Sequence, residues 1–467
     1  MNPASVAVGL GAVALAACSS RHGLTPDGGP KDAGSDGQTV ITLRPSSRDV
    51  DVLFMLDNSS NMSFYQVLLA DAFSSYANTL AALPGGLPNL HIGIVSSSLG
   101  AGREPAIDGC APGGDQGILH AKPTGSTCTR GSLNPGESFI ANIDGQPNYT
   151  GDLADVFGCI ALLGSGGCGF EHQLASVMRA LGADGAPAPA ENAGFLRAGA
   201  YLQVVLFTNE DDCSAPPDSD LFDESSMTLT DPLGPLQSYR CNEFGHLCGG
   251  KAPPRMPPGE VDLGTCVSNE NGRLLPVGGM VTALKNIKSD PSLVLVAAIA
   301  GPPTPYKVNV GPAQVKGDMT LWPYVESACR VQFTGPDGTS DGFTDGDPGV
   351  RIKQWVDAFG DNGVFQSVCA DSYAAALTRI AQQIEKALGP PCLPATVDPN
   401  KCTVVETGTD GPGLFSNVTH PRCKDASDTG TCWDVGPSTA TCSQPFVLRN
   451  PGIPPGANPF TTVTCAP

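Results

Sequence analysis

Alternating apolar runs and helix-period segments predict an α/β fold. The expected architecture is a doubly wound, mainly parallel sheet with long disulfide-pinned insertions and a small C-terminal module that is β-rich and Cys-rich. Three observations predict it. Four short apolar runs, at Asp49 to Leu56, Leu90 to Val95, Tyr201 to Thr208 and Leu293 to Ile299, are interleaved with segments whose apolar residues fall three and four apart. The chain has 57 Gly and 43 Pro in 467 residues, about a fifth of the whole against a usual ~12%, so its connections are long and turn-rich. It also has 17 Cys, a high number for a cytosolic protein.

Taken in order, Asp49 to Leu56 (DVDVLFML) is apolar toward both faces and ends in a polar turn, as a buried parallel strand should. Phe64, Val67, Leu68, Ala72, Tyr76, Leu80 and Leu83 then keep helical spacing until Pro84-Gly85-Gly86 stops it. LHIGIV is the second strand. Leu174, Val177, Met178 and Leu181 mark a helix over Glu171 to Leu181, and YLQVVLFT is the third strand. Leu274 to Ile287 reads as a helix, LVLVAAI as the fourth strand, and Val350 to Phe359 and Ser372 to Leu388 as two closing helices. The intervals 99–158 and 213–274 lack periodicity and hold several Cys, so they read as insertions at strand ends. The α/β body is therefore expected over 48–389. From 390 to 467 no helical stretch survives, which suggests a β module stapled because it is too small for a large core.

Charge narrows the function. With 46 acidic and 26 basic side chains the net charge is −20. No basic face is available to replace counterions on phosphates, so nucleic acid is excluded as a partner. Docking on anionic lipid through a basic patch is disfavoured for the same reason.

The run VAVGLGAVALAA, Val6 to Ala17, is too short to span a bilayer and suits a signal-peptide core. It ends in Leu15-Ala16-Ala17-Cys18, which resembles the lipobox of bacterial lipoproteins at all four positions. MNPAS ahead of it carries no Lys or Arg, a departure from the usual signal peptide. The resemblance implies a signal peptide over 1–17, lipidation of Cys18 and a cell-envelope location. Ser19 makes the outer membrane or cell surface the default. Residues 18–47 then read as a flexible tether, because they are rich in Gly, Asp and Pro. With Cys18 acylated, an even set of Cys remains, enough for eight disulfides. Cys159/Cys168, Cys392/Cys402 and Cys423/Cys432 are the close pairs.

The first strand feeds into Asp57-Asn58-Ser59-Ser60-Asn61, and the third into Asn209-Glu210-Asp211-Asp212-Cys213-Ser214. Between them lies Gly167-Cys168-Gly169-Phe170-Glu171. This layout resembles the von Willebrand factor type A domain, which has an apolar strand followed by Asp-x-Ser-x-Ser and a later strand ending in an acidic turn. The whole chain is similar to large secreted lipoproteins of myxobacteria that carry such a domain.

The resemblance implies a Rossmann-like sheet and a metal-ion-dependent adhesion site for Mg²⁺ or another divalent cation, which needs hard oxygen ligands. Asp57 and Ser59 match its pattern. Asn61 stands where a second Ser is expected, Asn209 stands where an Asp is expected, and no Thr matches in the central loop. Asp211 completes the expected metal set, with Glu171, Glu210 and Asp212 as auxiliary carboxylates. The alternative role for Asp57 and Ser59 is to cap the following helix, and for the acidic turn to be a solvated loop.

Other constellations carry less. Cys241, His246, Cys248 and Cys266 lack a compact zinc spacing. The acidic run Asp337 to Gly349 lacks EF-hand spacing and reads as a polar surface loop. No nucleophile elbow, metalloprotease motif or phosphate loop occurs. The expectation is a non-enzymatic envelope lipoprotein that binds an extracellular or envelope protein ligand and touches the membrane through its lipid anchor alone. A metal-independent scaffold or assembly protein is the alternative, and an exported hydrolase the remote one.

Overall fold

The computed structural model describes residues 39–43, 48–83, 86–104, 107, 109–125, 127–315, 318–334, 340–389, 392–409, 415–425, 428–438, 442–449 and 460–466. The signal peptide, the lipobox with Cys18 and most of the expected tether lie outside these residues. Residues 46–390 form one compact unit, and residues 391–467 with the strand Thr39–Leu43 form another.

A seven-stranded, mainly parallel sheet organises the larger unit. Its order is Gly363–Ser367, Val294–Ala300, Tyr201–Phe207, Asp49–Leu56, Asn89–Ser96, Ile140–Ile143, Gln146–Pro147. The first five strands are mutually parallel, and the last two add antiparallel at one edge. Successive residues of a strand point to opposite faces, and the central strand feeds two cores. Val50, Val52, Phe54 and Leu56 pack against the helices Met62–Ala81, Leu153–Ile160 and Ala374–Leu388. Leu53 and Met55 pack against the helices Gln173–Leu181, Val277–Lys285 and Val350–Asp357. Helices on both faces explain why these strands are apolar throughout rather than alternating. Phe73 stacks on Phe157 with centroids 3.6 Å apart, and Phe54 meets both edge-on.

The four expected strands and five expected helices all form, with ends within a few residues of the expected ones. Unexpected elements include the edge strand Gly363–Ser367, the helices Leu153–Ile160 and Tyr239–Gly245, short antiparallel pairs within the two insertions, and two longer hairpins. The hairpins are Lys307–Val315 with Asp318–Val325, and Cys329–Thr334 with Ser340–Gly346. Among the described residues no helix is long and apolar enough to cross a membrane.

Among the described residues eight disulfides form, but two of the three close pairs do not. Cys159 bonds Cys128 and Cys168 bonds Cys110, while Cys392 bonds Cys442 and Cys402 bonds Cys465. Cys423–Cys432 forms as expected. Cys213–Cys241 and Cys248–Cys266 staple the second insertion and consume the Cys of the zinc set. Cys329–Cys369 ties the second hairpin to the segment after the edge strand.

The smaller unit is β-structured around Leu393, Val404, Trp433, Phe446 and Val463, with three disulfides supplementing that small core. One correction concerns the tether. Thr39–Leu43, expected within it, is a strand that pairs antiparallel with Phe460–Cys465.

Candidate functional site

Asp57, Ser97 and Thr208 are each the first residue beyond a parallel strand, and sheet register brings them side by side. Leu56 is opposite both Ser96 and Phe207, so the next residues meet at the carboxyl ends of the strands. Open α/β sheets place their ligand sites there. The Asp57 amide donates to the Phe207 carbonyl at 2.9 Å, which fixes the turn.

Asp57 is fully buried. Its Oδ1 accepts from the Ser59 amide at 2.8 Å and the Ser97 hydroxyl at 3.2 Å, and its Oδ2 accepts from the Thr208 hydroxyl at 2.6 Å. Burial raises its pKa, and the bonds from Thr208, Ser59 and Ser97 offset this only in part. Neither Asp57 nor Ser59 caps the helix Met62–Ala81 with its side chain. That position is held by Asn61, which is exposed and makes no side-chain capping bond.

Three oxygens around Asp57 are buried and lack a hydrogen-bond partner: Ser59 Oγ, Asn209 Oδ1 and Glu171 Oε1. Ser59 Oγ lies beside the Asp57 carboxylate without reaching hydrogen-bond geometry. The Asn209 amide faces the Tyr65 hydroxyl, which leaves its Oδ1 free. Glu171 is buried against Glu210, and both feel the charge of Asp57. Burial, then the charges of Glu210 and Asp57, hold the Glu171 carboxyl well above its usual range. Burial, then Asp347 and Asp57, pushes Glu210 up to about 8. Asp347 is pushed up to about 7 by burial and then Asp345. Among the described residues no Lys, Arg or His forms an ion pair with Asp57, Glu171 or Glu210.

Asp211 and Asp212, expected as ligand and auxiliary, are used otherwise. Asp211 Oδ2 accepts from the Arg351 amide at 2.9 Å and lies 2.9 Å from His246 Nε2, and its Oδ1 accepts from the Ile352 amide at 3.1 Å. It therefore caps the helix Val350–Asp357. Burial alone would raise its pKa, but the His246 bond and the two amides outweigh this and lower it. Asp212 Oδ1 accepts from the Leu174 amide at 2.9 Å and the Ser214 hydroxyl at 2.6 Å, capping the helix Gln173–Leu181. Its Oδ2 pairs with the fully buried Arg351 guanidinium at 3.0 Å. The acidic turn is thus not a solvated loop, and two of its three carboxylates, Asp211 and Asp212, are engaged by helix amides, His246 and Arg351.

The acidic run expected at the surface also contributes. Asp345 accepts from the Tyr65 hydroxyl at 2.9 Å, and the Asp347 amide donates to the Asn209 carbonyl at 2.8 Å. A Cβ on Gly301 would lie 1.9 Å from the Asp347 carbonyl, so only Gly lets this segment lie against the strand end. Ser97 and Thr208 were missed as site residues. Their signal was a hydroxyl directly after an apolar strand, in Ser96-Ser97-Ser98 and in LFT.

Glu171, Glu210, Asp347 and His246 line a cavity of about 90 Å³, room for a few waters. A second cavity of about 540 Å³, lined by Leu99, Met178, Met280 and Leu275, has no hydroxyl or thiol on its walls. His172 lines it too, but its Nδ1 accepts from the Ala215 amide and burial lowers its pKa to about 4.

Among the described residues no three His, Cys, Asp or Glu side chains are grouped to hold a metal by themselves. A cation here would draw on a mixed set of Asp57, Ser59, Asn209 and Glu171, all hard oxygen donors suited to Mg²⁺ or Ca²⁺. The unpartnered oxygens of the last three fit that role.

No family model matches the chain, and no curated protein matches it. Among solved structures it is similar to the human COPII-coat protein Sec24c, with a TM-score of 0.28 and 10% identity over 94% of this chain and 43% of that one. The chain spans less than half the length of that protein, and a likeness this faint carries no argument.

Proposed function

We propose that this is a cell-envelope lipoprotein whose type A-like domain binds an extracellular or envelope protein ligand through a divalent cation at the strand ends. The observation that carries the reading is the set of buried, unpartnered oxygens on Ser59, Asn209 and Glu171 around Asp57. A buried polar atom with no partner costs about 1–3 kcal/mol, and a hard cation is a partner suited to such oxygens. Once bound, a hard cation would polarise and hold an oxygen of the ligand. Asp57 and Glu171 would supply charge, and Ser59 and Asn209 neutral oxygens. Asn61 and Asp211 drop out of the donor set, the first exposed and the second saturated by His246 and helix amides.

The envelope assignment rests on the Leu15-to-Cys18 lipobox and on eight disulfides, which persist in oxidising compartments. Calorimetry with Mg²⁺, Mn²⁺ and Ca²⁺ tests the cation. Saturable binding by the wild-type protein and its loss in Asp57→Ala are expected. No binding, or unchanged binding in the variant, would leave the metal-independent scaffold. That second reading is favoured by one observation: three protein donors already serve the Asp57 carboxylate.

A further inference from the structure

We infer that the cavity of about 540 Å³ between the helices Gln173–Leu181 and Val277–Lys285 is a binding site for an uncharged, mainly apolar small molecule that carries one hydrogen-bond-accepting oxygen. The inference is independent of the cation reading, because none of Asp57, Ser59, Asn209 and Glu171 lines this cavity.

The space follows from what the two helices lack. They fill the core with Leu174, Val177 and Leu181 from one and Val281 and Leu284 from the other. Beside the cavity they carry Ala175, Gly279 and Ala283, side chains too short to close the gap. A Cβ on Gly279 would touch only the Pro276 ring, at 4.0 Å. The two insertions supply further walls, Leu99 from the first and Pro216 from the second. Both are held in place. The Cys110–Cys168 disulfide ties the first insertion to the segment ahead of Gln173. The Leu275 amide donates to the Ser214 carbonyl at 2.8 Å, and the Ala175 amide donates to Ser214 Oγ at 2.8 Å. The walls are therefore ordered before a ligand arrives, which lowers the cost of binding. The volume falls in the range of roughly 300–1,000 Å³ usual for small-molecule sites.

The lining sets the class of ligand. Met178 and Met280 offer apolar surface that adapts to shape. His172 is a lining polar group that is 3% exposed. Its Nδ1 accepts from the Ala215 amide at 3.3 Å, which leaves the ring proton on Nε2. Nε2 has no hydrogen-bond partner, and the Gly100 carbonyl bears on the ring without reaching hydrogen-bond geometry. An oxygen of the ligand would satisfy that donor. The ring is uncharged at neutral pH because burial lowers its pKa, and the charge of Asp212 already acts on it, so an anion gains little there. Arg179, the one Lys or Arg of the lining, is engaged by the Pro187 carbonyl at 2.7 Å and by Asp184 at 3.7 Å. A carbonyl or hydroxyl oxygen therefore suits the cavity better than a carboxylate, whose burial without a partner is costly.

The test uses N-phenyl-1-naphthylamine, an uncharged fluorophore that brightens in apolar surroundings, with 1-decanol and decanoate as competitors. The wild-type protein is expected to bind the fluorophore saturably at one site per chain. 1-Decanol should displace it at least about tenfold more effectively than decanoate. Gly279→Trp fills the cavity and should weaken fluorophore binding at least about tenfold, whereas Gly279→Ala should bind as the wild type does. Both replace Gly in a helix with a better helix former, and thermal melts confirm their fold. His172→Phe keeps a ring and removes the N–H, so it should retain the fluorophore and bind 1-decanol more weakly. If that variant does not fold, the Gly279 pair and the two competitors still decide. No saturable binding by the wild-type protein, or unchanged binding in Gly279→Trp, would overturn the site. Equal displacement by decanoate, or unchanged 1-decanol affinity in folded His172→Phe, would overturn the class of ligand.

Discussion

Asp51 and Asp57 lie on and just beyond the same strand, both fully buried, yet they have opposite surroundings. Asp51 is met by two cations, Arg197 Nε at 2.7 Å and Lys288 Nζ at 3.6 Å, with the His91 ring, whose pKa burial lowers, 3.6 Å away. Asp57 is met by hydroxyls and an amide, with further acids behind them. The first end of the strand is a closed ion-pair cluster that secures the sheet. The second end is left short of positive charge. Acidity alone therefore does not mark a binding site; the informative feature is a buried acid whose neighbours fail to neutralise it.

The largest effect should come from breaking the neutralised end. Asp51→Asn leaves the buried Lys288 ammonium without its carboxylate and Arg197 with Asp49 alone, and should cost about 3–5 kcal/mol in urea denaturation. If Asp57→Asn costs as much, the two ends are not different in kind.

The next effect is pH dependence. Glu210 keeps its proton up to about 8 in the folded protein, whereas the unfolded chain releases it near 4.5. Within that window the folded state holds more protons, so stability is highest at the acid side and falls as pH rises. Asp347, pushed up to about 7, acts in the same direction. Asp211 acts in the opposite one: its lowered pKa contributes stability above the ordinary carboxylate range and loses it as pH falls further. Glu210→Gln should flatten the decline between pH 5 and 8 and leave the acid limb unchanged, as read from denaturation midpoints across pH.

A smaller effect is expected at the other end of the strand. Asp57→Asn keeps part of its hydrogen bonding and removes one charge from an acidic group, so it should cost no more than about 1.5 kcal/mol while cation binding is lost. The smallest change should be Ser59→Ala, which deletes an unpartnered hydroxyl. Stability should stay within about 0.5 kcal/mol, with a weaker cation affinity in calorimetry as the visible loss.

Much of the sheet was legible because its strands are buried on both faces. DVDVLFML and LVLVAAI admit few other readings. Gly363–Ser367 was not legible, being a half-buried edge strand that begins with Gly and ends in polar residues. Disulfide pairing was legible only for Cys423–Cys432. Cys402 bonds Cys465 because strand register sets them opposite each other, and Cys248 faces Cys266 in the same way. Spacing along the chain carries no such information. At the site, the motif gave Asp57 and Ser59, but it could not show that Arg351 and His246 would claim Asp211 and Asp212. Those partners come from distant segments, and only the fold delivers them.

The pairing of Thr39–Leu43 with Phe460–Cys465 has a consequence in time. A chain emerging N-terminus first exposes its first described strand long before the partner strand exists. The larger unit can collapse in the interval, since its own strands and helices all lie between the two. The smaller unit cannot finish until residue 465 has appeared and Cys402 can meet Cys465. The smaller unit therefore depends on pairing two segments that the chain makes far apart in time, Thr39–Leu43 and Phe460–Cys465.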